Sequence, residues 1–265
     1  MTESERLIRD SVKSVRLWRV WTFMGMQDVR VRFRRSLLGP VWILINLSLF
    51  VGGAGVVYGL MFGQNLSEFL PFLVTGFIVW GFLLSTMTEA GTAFIVAEGY
   101  IKQFSFPKQI YLLRALVNYN VILLFGATVI IVMQAILQNV RLLGWLEAFP
   151  GLLILNAAGL GHVVVSAYMG AMFRDWPHAL GGLLQILFFV TPIMFPISVL
   201  QERGLDLIYQ FNPLFYLIDV VRCPIVEGQF APLEHYGLAI LYVMLVWGVA
   251  AIVARQLDRR LVYLL

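Results

Sequence analysis

Few side chains in this sequence are of the kinds that make or break bonds, and their spacing suits none of the usual reactions. His162, His178 and His235 are too scattered to form a metal-ligand set. Cys223 is the only cysteine, which excludes an internal disulfide or a cysteine zinc cluster. The chain has no GxxxxGK loop followed by Ser or Thr, no HExxH, no GxSxG and no Asp-x-Asp pair of the kind that holds a metal-nucleotide donor. No two carboxylates share one face of a long apolar segment, as a proton- or sodium-coupled carrier would require. His162 does lie inside such a segment, where an ionisable group is a functional candidate by default. With no second ionisable group in that segment, a hydrogen bond to a neighbouring helix is the simpler reading. Whatever this chain does, no energy source of its own is evident.

The elements that must position these groups are long and apolar. Hydrophobic residues make up 60% of the 265 and charged residues 13%, a balance foreign to soluble domains and expected of a polytopic membrane protein. The formal charge of +4 is better explained by topology and anionic headgroups than by nucleic acid, since no aromatic-basic nucleic-acid module is present. No apolar core of a cleavable signal peptide opens the chain. A basic cluster at Arg30, Arg32, Arg34 and Arg35 leads directly into Ser36 to Ser67, which contains no Asp, Glu, Lys or Arg. That junction predicts a cytoplasmic N-terminus and a first span over 41–62, about 33 Å long at the helical rise.

Upstream, residues 12–35 alternate arginines with Trp18, Trp21 and Phe23, which predicts an amphipathic helix in the headgroup plane, a basic anchor or a mechanical part. Further spans are expected over 69–88, 115–137, 151–173, 179–195 and 236–254, giving six with both ends inside. Of the 19 basic residues only Arg141, Arg203 and Arg222 then fall outside, as the positive-inside rule demands. Gly55 with Gly59, and the Gly- and Ala-rich fourth span, predict close helix packing, within the chain or between copies. A short turn of Arg174 to His178 makes spans four and five antiparallel neighbours. Pro192 and Pro196 should break the fifth span near its outer end. The segment that follows, to Glu234, mixes charges with apolar stretches and predicts two short helices in or re-entering the outer leaflet.

The first inner loop, 93–110, combines Glu98, Lys102 and Lys108 with Tyr100, Phe104 and Phe106. It is too charged for lipid and too aromatic for a solvated linker. A short helix ending before Pro107 follows, and its exposed aromatics suit a soluble partner docking from the inside, or cap the bundle.

These residues carry a family resemblance. Arg32 to Trp42, RFRRSLLGPVW, resembles the Arg-(Tyr/Phe)-Arg-x-Ser-x-Leu-Gly-x-x-Trp junction of the permease subunits of polysaccharide ABC exporters, the type 2 group serving O-antigen, capsule and teichoic acid export. Ile101 to Lys108, IKQFSFPK, is similar to that family's segment after span two, with Gln103 where a second basic residue is common; Phe33 stands for the usual Tyr. Thr191 to Pro196 and the Asn212, Pro213, Leu214 run resemble two further elements, weaker alone.

The resemblance implies an all-α, polytopic permease, one domain over 1–265, divided into an interfacial segment 1–40, a six-span bundle 41–255 and a tail 256–265. It implies a homodimeric channel in the inner membrane, among membrane lipids, carrying a lipid-linked polysaccharide. A separate ABC ATPase subunit would hold ATP and Mg and dock on Glu98, Tyr100, Lys102, Phe104, Phe106, Pro107 and Lys108; this chain would bind no cofactor and catalyse nothing. Trp18, Trp21, Arg30, Arg32, Arg34 and Arg35 would border the cargo inlet, and Pro192, Pro196, Asn212 and Pro213 would belong to an outer gate. Because sugars are held by aromatic faces, Tyr58, Phe62, Trp80, Phe82, Phe188 and Phe189 are candidate pore-lining rings. A permease of the same architecture moving lipids or drugs, or a membrane-embedded enzyme acting on lipid-linked sugars, is the alternative.

Overall fold

A computed structural model describes residues 3–265, with side chains from residue 5 onward. Among the described residues every regular element is helical, so the chain is all-α. The interfacial segment is two helices rather than one, α1 (Glu3–Arg16) and α2 (Trp18–Arg32), and it begins well before residue 12. They part at Leu17, where the Ser14 carbonyl, needed by the next turn of a continuous helix, accepts instead from the Leu17 amide and from Trp21 Nε1 at 3.0 Å. Arg35 and Gly39 take left-handed backbone, φ 69° and 54°, and turn the chain into α3 (Val41–Met61).

Asn65 caps α4 (Leu66–Met87) by accepting from the Ser67 amide, and a 3-10 turn at Glu89–Thr92 carries the chain on to α5 (Ala93–Val96) and α6 (Glu98–Gln103). Then come α7 (Gln109–Ile136), a short outer helix α8 (Leu142–Glu147), α9 (Phe149–Met172) and α10 (Trp176–Val190). The outer segment folds as α11 (Ile197–Gln201), α12 (Leu207–Gln210) and α13 (Pro213–Glu227), before α14 (Leu233–Leu257) and α15 (Leu261–Leu264) end the chain.

Among the described residues five segments are long and apolar enough to cross a membrane, containing α3, α4, α7, α9 and α14. The predicted fifth span, 179–195, is shorter than expected: α10 has 15 residues, about 22 Å at 1.5 Å each, against the ~30 Å of a hydrocarbon core. The cause is Pro192, which has no amide hydrogen to donate; α10 stops at Val190 and Thr191 is already extended.

The core is built on α4, α9 and α13. Small residues let these helices meet at backbone distance: a Cβ on Gly151 of α9 would strike the Val220 carbonyl of α13, and one on Gly170 would strike that of Gly91. Gly55 and Gly59 serve the same end within the chain, seating Leu70 and Leu66 of α4 against α3. His162 behaves as a satisfied core residue, with Nε2 2.7 Å from the Tyr242 hydroxyl of α14.

Candidate functional site

The inner loop holds its aromatics outward. Within α6, Glu98 and Lys102 pair one turn apart at 2.6 Å, stiffening a helix of six residues. The chain leaves α6 extended at Phe104, and the rings of Tyr100, Phe104 and Phe106 follow one another at 6.3 and 6.0 Å. They are 46%, 50% and 41% exposed, an aromatic ridge with Arg114 over the Tyr100 ring at 5.6 Å, while Pro107 is buried.

Lys108 fastens the end of that ridge to the bundle. Its ammonium reaches the Asp258 carboxylate at 3.5 Å and also donates to the Asp258 backbone carbonyl. Burial holds the Lys108 pKa below its ordinary value, against the raising pull of Asp258. Asp258, itself buried, also accepts from the Tyr168 hydroxyl of α9 at 2.8 Å and lies 3.5 Å from Arg6 of α1. Loop, N-terminal helix, core helix and tail therefore meet at one carboxylate. Sequence reasoning overlooked Asp258; the available signal was that it is the only acid after Glu234, in a tail of arginines.

At the interface, Trp18 is exposed with Arg19 stacked over its ring, and Arg30, Arg34 and Arg35 face outward. Arg32 bridges to Glu89 at 3.2 Å. A second overlooked lone acid, Asp28, takes a two-pronged bond from Arg114 of α7, both contacts at 2.6 Å. Between α2, the 3-10 turn and α7 lies a cavity of about 400 Å³ lined by these four charges and by Tyr111, Asn118 and Tyr119.

The outer segment is a third cluster. Arg222 was counted among outside charges, yet it is 2% exposed. Its guanidinium donates to the Pro192 carbonyl at 2.8 Å, pairs with Asp219 at 3.3 Å and lies 4.0 Å from the Phe72 ring centroid. Asp219 also holds His235 of α14 at 2.8 Å. Burial by itself would raise the Asp219 pKa, but the His235 hydrogen bond and the Arg222 charge outweigh it and hold the carboxyl below its ordinary value. Asn212 donates to Thr191 Oγ1 at 2.7 Å and accepts from the Leu214 amide, with Pro213 opening α13. The two proline-rich elements are thus stitched side by side: Pro192 through Arg222, and Thr191 through Asn212. Pro196 caps α11.

The candidate pore rings divide. Trp80 and Phe82 are buried within this chain, Phe82 against Gly159 and Trp80 5.6 Å from Phe188. Neither ring faces outward. Tyr58 and Phe62 stack on each other at 6.0 Å, half-buried, and Phe189 is exposed beside Phe188.

No family model matches the chain. Individual relatives do: an O-antigen export system permease protein RfbA of Klebsiella pneumoniae is 24% identical over 217 residues, 82% of each chain. RfbA of Myxococcus xanthus is 22% identical over 85% of this chain and 88% of its own. The polysialic acid transport protein KpsM of Escherichia coli is 21% identical over 77% of this chain and 80% of its own. These relatives agree with the resemblance carried by Arg32–Trp42 and Ile101–Lys108: the chain is a multi-pass membrane protein similar to the permease proteins of O-antigen export systems.

Proposed function

We propose that this chain is the transmembrane subunit of an ATP-driven exporter that carries a lipid-linked polysaccharide across the cytoplasmic membrane. It would act as a homodimer with both termini inside, α10 and the turn after it completing a sixth crossing. ATP and Mg would be held by a separate soluble subunit. The observation that carries the reading is the half-exposed ridge of Tyr100, Phe104 and Phe106 on a chain with no phosphate-binding loop of its own. A nucleotide-driven displacement of that ridge has a rigid route inward: Lys108 to Asp258, and from Asp258 to Tyr168 of α9 and Arg6 of α1.

Purification from native membranes in mild detergent, with mass spectrometry of the copurifying proteins, tests this. The expected partner is a soluble subunit bearing a phosphate-binding loop, in equal amount. Replacing Phe104 and Phe106 with Ala should weaken its binding by about tenfold or more, as loss of aromatic anchors does. A chain recovered alone from an intact membrane complex, or a partner whose binding and ATPase activity ignore both substitutions, would overturn the reading.

A further inference from the structure

A groove of about 330 Å³ separates α1 from α14, with residues of α7 and α9 completing it. Leu7, Ile8 and Val12 wall it from α1, and Trp247, Ala250, Ala251 and Ala254 wall it from one face of α14. Alanines stand on that face where larger side chains would fill the space. The polar groups of the deeper walls are used elsewhere: Trp247 Nε1 donates to the Ala157 carbonyl at 3.0 Å, and the Tyr168 hydroxyl donates to Asp258 at 2.8 Å. What is left there to meet an occupant is hydrocarbon and ring.

Polarity is graded along the groove. Gln109 is the first residue of α7 and Arg255 belongs to the last turn of α14, so both line the groove at the membrane boundary beside the termini. Trp247 lies eight residues before Arg255, about 12 Å deeper along the helix axis. Arg255 is exposed and has no ion-pair partner among the described residues, and no acidic side chain lines the groove. Arg259 and Arg260 follow it closely, and the acid among them, Asp258, is already engaged by Lys108, Arg6 and Tyr168. The mouth is therefore basic. Phospholipid is the solvent of the exposed face of α14 at Met244, Leu245 and Ile252, so it is the amphiphile always at hand. We infer that the groove holds one acyl chain of an anionic glycerophospholipid from the leaflet beside the termini, with its phosphate on Arg255. Bulk acyl chains are as apolar as the groove, so the chain fills the space while the headgroup supplies the selection. The occupant braces the apolar side of α1, whose Arg6 reaches Asp258. This needs only the membrane setting and goes beyond the exporter reading.

The test places the full-length chain, with its copurifying partners, in nanodiscs of phosphatidylglycerol and phosphatidylcholine in equal parts with identical acyl chains. A polyprenyl phosphate is added as a minor component, and native mass spectrometry then counts the lipids retained per chain. The parent should keep phosphatidylglycerol over phosphatidylcholine by about fivefold, the worth of one arginine toward an anionic headgroup. Arg255→Gln should bring that ratio close to one. Ala251→Phe fills the groove from an exposed position and should cut retention by about tenfold or more. Ile252→Phe, also exposed but outside the groove, should leave retention as in the parent. Ala251→Leu repeats the filling with a smaller side chain, so a poorly recovered Phe variant does not end the test. The inference is overturned if the parent retains no phospholipid, if the substitutions at 251 and 252 act alike, if Arg255→Gln keeps the parental preference, or if polyprenyl phosphate is the species retained.

Discussion

Helices α14 and α13 pack against each other and are opposites. Helix α14 has 25 residues, is apolar enough to cross a membrane, and buries only Ala239, Ala250 and Leu257. Helix α13 has 15, contains Asp219, Arg222 and Pro224, and is buried without interruption from Leu214 to Ile225. In a soluble protein the ranking would be reversed. Where lipid is the solvent, an apolar face gains little by moving inside, because acyl chains are as apolar as leucine. A charged or broken backbone segment gains much, because only protein or water can satisfy it. Helix α3 repeats the lesson, burying only Val51, Gly55 and Gly59 along its whole length.

The contrast should break most sharply at Arg222. Arg222→Leu leaves Asp219 buried with His235 alone and strips the Pro192 carbonyl of its donor, and removing one member of a buried pair costs about 3–5 kcal/mol. We expect a large fall in the thermal midpoint in detergent, with new proteolytic cleavage between residues 197 and 232, whereas Met244→Ala on the exposed face of α14 shifts the midpoint little. Equal losses at the two positions would refute the comparison.

A glycine pair sharpens it. Gly151→Ala drives a methyl group into the Val220 backbone and should cost about 1–3 kcal/mol, while Gly248→Ala on α14 meets open space and should be neutral or stabilising. Thermal midpoints of the two variants decide it.

Acidity gives a smaller effect. Because the folded state holds the Asp219 pKa down, its contribution to stability is complete above the ordinary carboxyl value of about 3.9 and is lost as pH falls through the lower folded value. The midpoint should fall less steeply below pH ~4 in Asp219→Asn than in the parent, and the two should run parallel between pH 5 and 8. Smallest of all, Cys223 should not react with a maleimide at about pH 8 until the protein is denatured, since burial pushes its thiol up to about 12. Rapid labelling of the folded chain would place α13 at the surface.

Much of the fold was legible because its signals are local. Within the charge-free run from Ser36 to Ser67 the span expected over 41–62 matches α3 almost to the residue, Pro192 marked the end of α10, and Pro107 marked the limit of the inner-loop helix. The exposed ridge of Tyr100, Phe104 and Phe106 could be anticipated from composition alone, since charged and aromatic residues alternate there. The break at Leu17 could not, because it depends on the indole of Trp21 turning back to a carbonyl seven residues earlier.

What the sequence by itself determined is therefore the membrane setting, the order of the helices and the residues that interrupt them: each follows from hydropathy, proline and charge over a few consecutive positions. Tertiary structure decided which charges are sites. Asp258 is joined to residues 90, 150 and 252 positions away, Arg114 to one 86 positions away, and Arg222 to Pro192 across 30. An ion pair or a hydrogen bond is a matter of a few ångströms, and no pattern along the chain specifies which distant groups will come that close until the helices have packed.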